Sequence, residues 1–137
     1  MYEFEVATAA YELLKAMNVN PADSVAISCD TLSDMLIVDA VARAAVALDA
    51  KPLVLKIPTP EKEEDMPTKA LAATIRGCEA WVEVNGFQLH GTKTYEAIHA
   101  GKSIKYACLV GADRETLVKE IVRTGSADLT KYQAPRA

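Results

Sequence analysis

The sequence predicts an α/β domain. The expected architecture is a three-layer, Rossmann-like or flavodoxin-like open sheet of four parallel strands in the order 2-1-3-4. Helices cover both faces, and an extra helix precedes the first strand. Three observations lead there. Four short β-prone runs alternate with segments of helical period, the rhythm of βα units. The runs are apolar at nearly every position, as strands covered on both faces are. Crossovers between parallel strands are right-handed, which leaves few orders for four of them.

Each element follows in turn. Residues 2–17 place Phe4, Ala7, Ala10, Tyr11, Leu14 and Met17 at helical spacing. NVNPAD then breaks the pattern, with Asn18 as a helix stop and Pro21 opening a turn. The first strand is SVAISC, residues 24–29, and an alanine-rich helix spans 33–48. A second strand, PLVLKI, covers 52–57, and a charged, proline-punctuated loop follows it. The next helix covers 67–76, with Pro67 tolerated in its first turn and Gly77 as its stop. AWVEV, residues 80–84, is the third strand. The loop NGFQLHGTK leads to a short helix over 93–100, stopped by Gly101. SIKYACLV, residues 103–110, is the fourth strand. Asp113 is a suitable cap for a last helix that runs to about Arg123, with Glu115 in its first turn. Residues 1–123 thus form the domain, and 124–137 are a tail or the start of a connecting segment.

A chain of 137 residues is the size of one domain and buries a sizeable core without staples. The net charge of −4, with no basic stripe, speaks against a nucleic-acid partner. No apolar run reaches the roughly 20 residues of a membrane span, and the acidic, amphipathic N-terminus is not that of a signal peptide. Cys29, Cys78 and Cys108 form no CxxC pair. They read as small hydrophobes in a reducing, cytoplasmic setting.

In such a sheet, ligands bind beyond the carboxyl ends of the strands. That rule selects the loops 30–33, 58–60, 85–92 and 111–113. The first, CDTLSD, has no glycine, so it is neither a dinucleotide fingerprint nor a Walker loop. Ser33 or Thr31 caps the following helix, with Asp34 favoured at its positive end; alternatively Asp30 or Thr31 faces a crevice or a partner. Cys29 near a helix start is a conceivable nucleophile, and His90 is the base within reach of it. His99 sits in a helix pattern and is expected at the surface. The two histidines match no common metal pattern, and EKEED at 61–65 reads as a solvated charge run. In NGFQLHGTK, Phe87 and Leu89 look exposed and Thr92 is a natural N-cap. Asn85, Phe87, His90 and Thr92 are binding candidates beside Asp30 and Thr31, because function concentrates on loops held by a rigid sheet.

Four stretches carry a further resemblance: DSVAISCDTLSD, AVARAAVALDAKPLVLKIP, GCEAWVEVN, and LHGTKTYEAIHAGKSIKYACLVGADRETLVKEI. The last combines a histidine- and hydroxyl-bearing loop at His90 to Thr94 with Glu96, Ala97, Ala100 and Gly101. A strand and a helix start at Gly111 to Leu117 then follow. Together, from Asp23 to Arg123, they resemble the N-terminal domain of the aminopeptidase T-like metallopeptidase family, which includes the 2,5-dihydroxypyridine dioxygenase branch. The resemblance implies a domain that precedes a larger catalytic one. In the family a divalent metal is held by glutamates, histidines, a tyrosine and an aspartate of that later domain. It therefore implies no cofactor, metal ligand or catalytic residue in this chain. The implied role is that of an accessory domain or small subunit. It would pack on a catalytic domain or partner chain, contribute to the active-site rim, and associate as a homo-oligomer. Two other readings of the residues stay open. One is a stand-alone α/β domain that binds or converts a small molecule in the crevice at the strand ends. The other is a protein–protein interaction module anchored by Phe87 and Leu89.

Overall fold

A computed structural model of the chain describes residues 2–109 together with Leu117. Its elements are α1 (Tyr2–Ala16), β1 (Ser24–Asp30), α2 (Met35–Ala47), β2 (Lys51–Ile57), a 3-10 turn at Glu63–Asp65, α3 (Thr68–Arg76), β3 (Ala80–Glu83), α4 (Lys93–His99) and β4 (Lys105–Cys108). The four strands are parallel and lie in the order β2-β1-β3-β4, as the sequence predicts. The expected 111–113 loop, the last helix and the tail lie outside the described residues, save Leu117, which is helical and buried.

Period-two alternation splits the strands between two layers. Val25, Ile27, Cys29, Ala80 and Val82 pack under α1 and α2. Ala26 and Trp81 pack under α3 and α4, against Leu71, Ile75 and Ile98. The central strand β1 is buried from Val25 to Asp30. The edge strand β2 is not: no β2 residue is fully buried, and Leu53 and Val54 are 44% and 43% exposed. The expectation that all four apolar runs are covered on both faces therefore fails at β2, where every residue is exposed or half-buried.

Helix ends follow local chemistry. Asn18 ends α1 with φ of 61°, a conformation asparagine tolerates. The cap of α2 is Asp34, whose carboxylate accepts from the Leu36 amide, rather than Ser33 or Thr31. Thr92 caps α4 and accepts from the Tyr95 amide, as expected. The far end of α4 is closed from α3: the Arg76 guanidinium donates to the carbonyls of Ala97, Ile98 and Ala100, satisfying groups a short helix leaves open.

Candidate functional site

The carboxyl ends of β1 and β3 sit side by side, with Ser28 opposite Glu83. Beyond them come the 30–33 turn and the 85–92 loop. Asp30 and Glu83 close the two strands, and both side chains are completely buried. A buried carboxylate is costly unless its oxygens find donors, and here they do. Asp30 accepts from the Leu32 amide at 2.9 Å and from the Phe87 amide at 2.8 Å. Glu83 accepts from the Leu89 amide at 2.8 Å and from the Tyr106 hydroxyl at 2.6 Å. Two carboxylates thus hold the backbone of the 85–92 loop at successive points. Ser33 ties the same corner together: its hydroxyl donates to the Val84 carbonyl at 2.7 Å and accepts from the Asp30 amide. The fit is close at Gly86, where a Cβ would lie 2.6 Å from that of Leu32.

The sequence candidates fall into distinct places. Asp30 turns inward, and each of its oxygens holds a backbone amide. Thr31 is exposed and hydrogen-bonds the Thr59 hydroxyl at 2.7 Å, joining the loops after β1 and β2. Asn85 is 2% exposed, and its Oδ1 has no hydrogen-bond partner. Phe87 is half-buried against the α3–α4 layer. Thr92 is occupied in capping and also donates to the Leu89 carbonyl. His90 is exposed, with its ring 4.8 Å from that of Tyr95. Leu89, expected at the surface, is completely buried because Glu83 pulls its amide inward. The structure does not form the Cys29–His90 pair. Cys29 belongs to the α1–α2 layer, while His90 stacks on Tyr95 of the opposite one. Burial also pushes the Cys29 thiol up, away from the thiolate a nucleophile needs.

Sequence reasoning missed the group beneath the loop. Trp81, Tyr95, His99 and Tyr106 form one ring cluster, with centroid distances of 4.4–6.1 Å. Trp81 donates its indole N–H to Ser28 at 2.9 Å. His99 is half-buried rather than on the surface, and its Nε2 has no partner; burial lowers its pKa, with His90 adding to the effect. Burial raises the Glu83 pKa, against the opposing pull of its two hydrogen bonds. Burial and the adjacent Glu83 push the Tyr106 phenol far up, so it stays protonated and donates. The available signal is Glu83 itself, an acid at the carboxyl end of an otherwise apolar strand.

Chemically, this arrangement is a braced rim. It offers an exposed imidazole, the exposed Thr31 hydroxyl and one unsatisfied buried amide oxygen, on a backbone fixed by carboxylates. Among the described residues, no three His, Cys, Asp or Glu side chains come together as a metal ion requires.

No family model matches the chain, and no curated protein matches it in sequence. Among solved structures, the fold is similar to that of a 2,5-dihydroxypyridine dioxygenase from Pseudomonas putida KT2440. The TM-score is 0.71, at 20% sequence identity, over 83% of this chain and 36% of that one. The chain thus spans about a third of the length of the enzyme it matches, and what the two share is the α/β fold.

Proposed function

We propose that this chain serves as an accessory, N-terminal-type domain or small subunit of an aminopeptidase T-like metalloenzyme. In this reading it packs on a catalytic domain that carries the divalent metal, lends the 30–33 and 85–92 loops to the active-site rim, and contributes to oligomerisation. The observation that carries the reading is the structural match, in which most of this chain corresponds to a minor part of a larger dioxygenase. The braced loop adds support. A rim must keep its shape when a partner or substrate docks, and Asp30 and Glu83 hold this one from below.

The test is isolation of the tagged chain from its own cells, followed by assay. Amide hydrolysis and dioxygen consumption with a dihydroxypyridine would be followed with added divalent metal, for the chain alone and for any complex. The expected result is activity in the complex that depends on a second chain or domain bearing the metal ligands. Metal-dependent turnover by this chain alone overturns the accessory reading, as does a complex with no activity of either kind.

A second reading, a stand-alone small-molecule binder, draws on the unpartnered Asn85 Oδ1 at the strand ends. It predicts a ligand that raises the melting temperature of the wild type and does so less in Asn85→Ala.

A further inference from the structure

Among the described residues, the outer edge of β2 has no strand paired to it. Leu53 and Val54 are neighbours there, pointing to opposite faces, and both are exposed among the few large hydrophobic side chains that are. A groove lined by Leu55, Ile57, Pro67, Ala70 and Leu71 runs beside them toward α3. The backbone is equally open. The Lys51 amide donates to the Asp23 carbonyl, which fixes the parity of the strand in a parallel ladder. Lys51, Leu53, Leu55 and Ile57 turn their peptide groups toward β1, and Pro52, Val54 and Lys56 turn theirs outward. Proline therefore occupies a position where its missing N–H costs the sheet nothing.

We propose that this edge is a homodimer interface, in which β2 of a second copy pairs antiparallel with β2 about a two-fold axis at Val54. The register is set by the outward groups. Val54 opposite Val54 exchanges both N–H···O bonds, and the Lys56 amide of each strand donates to the Pro52 carbonyl of the other. Every outward N–H is then used, and the Lys56 carbonyl alone lacks a donor. An antiparallel arrangement also sets charge against charge. Lys51 of one copy lies opposite Ile57 of the other, where the chain enters the run holding Glu61, Glu63, Glu64 and Asp65. Asp49 offsets Lys51 and Lys62 offsets one acid of the run, so the hydrogen-bond register, more than charge, sets the arrangement. A bare strand edge otherwise invites open-ended pairing; a two-fold contact closes it. The described sheets of the two copies become one continuous sheet. The inference deepens the oligomerisation element of the proposed function by naming its surface, and the accessory role stands or falls separately.

The test is the mass of the full chain in solution, by light scattering and sedimentation over a wide range of concentration. The wild type is expected to be a dimer. Val54→Pro removes an outward N–H and leaves the ladder to β1 intact, so it should halve the mass, keep the wild-type circular dichroism, and remove the concentration dependence of the melting temperature that a dimer shows. In a bonded antiparallel pair the Cα atoms are about 5.5 Å apart, within disulfide reach. Val54→Cys should therefore form a covalent dimer on oxidation, and Lys51→Cys should not. A monomeric wild type at all concentrations overturns the proposal. So does a dimer that survives Val54→Pro with Val54→Cys uncrosslinked, which would place the contact elsewhere. Should Val54→Pro fail to fold, Val54→Lys supplies the same comparison, with the charge in place of the lost donor. Activity in a complex with a catalytic chain, retained by a monomeric Val54→Pro, would leave the accessory role standing without the dimer.

Discussion

On one face of the sheet, α1 and α2 lie over Val25, Ile27, Cys29, Ala80 and Val82, and the layer between is apolar. On the other, α3 and α4 lie over Ala26 and Trp81, with Ser28, Asp30, Glu83 and Thr94 buried as well. Both layers remove apolar surface from water, which is what holds them. Only the second also reaches past the strand ends. Its carboxylates grip the amides of Phe87 and Leu89, so packing there and loop shape form one network. The first layer can be disturbed without touching the candidate site; the second cannot.

The largest effect expected is that of Trp81→Ala, which removes the ring at the centre of the cluster and the donor to Ser28. Its cost in urea unfolding should be about 3–5 kcal/mol. Leu14→Ala in the apolar layer should cost a similar ~2–5 kcal/mol. The two part company in local hydrogen exchange at Phe87 and Leu89. In Leu14→Ala, these amides should exchange only by global unfolding. In Trp81→Ala they should also open locally. Equal local opening in both variants would mean that the layers are not separate.

Glu83 comes next. Glu83→Ala leaves the buried Leu89 amide and the Tyr106 hydroxyl without their acceptor, at about 1–3 kcal/mol for each donor stranded. Glu83→Gln keeps an oxygen and should cost less. The pH dependence has a definite sign. The folded-state pKa of Glu83 is raised above its ordinary 4.5, chiefly by burial. Its linked stability is thus full below 4.5 and is lost as pH rises through the raised value. Unfolding free energy of the wild type should decline across that window, and less steeply in Glu83→Gln. Equal slopes in the two would remove Glu83 from the account.

Gly86→Ala should be milder, about 1–3 kcal/mol. The added carbon would sit 2.6 Å from the Leu32 Cβ and 3.0 Å from Asp30 Oδ1. Leu32→Gly in the same chain should restore part of the loss, since it removes the nearer clash. If the pair is simply additive, the two loops do not meet as closely as the contact implies.

The apolar runs and the helical periods were enough to read the sheet order, because strand burial and βα rhythm are local pattern and chain topology. Thr92 was legible as a cap because an N-cap needs only its own neighbours in sequence. The bracing was not. Asp30 meets Phe87 across 57 positions of chain, and Trp81 meets Ser28 across 53, and no spacing rule encodes such pairs. Leu89 reads as exposed for the same reason: the acid that draws it inward lies on a strand whose local pattern says only β. Helical period alone puts His99 at the surface, because it carries no trace of the rings of Trp81 and Tyr106 that pack on it.

His99 also offers the smallest effect and the sharpest discrimination between the layers. Burial lowers its pKa from the ordinary 6.5, and the neighbouring His90 lowers it further. The folded state therefore favours the neutral ring. The linked stability is full above 6.5 and is lost as pH falls through the lowered value, opposite in sense to Glu83. His99→Phe keeps a ring against Trp81, Tyr95 and Tyr106 and removes the unpartnered Nε2. At neutral pH it should change stability by about 1 kcal/mol or less. Below 6.5 it should hold its melting temperature where the wild type loses it, and amide exchange in the 85–92 loop should follow the same curve. A wild type and a His99→Phe variant that lose stability in parallel would mean that the acid sensitivity lies elsewhere, and that the polar layer owes its pH response to its carboxylates alone.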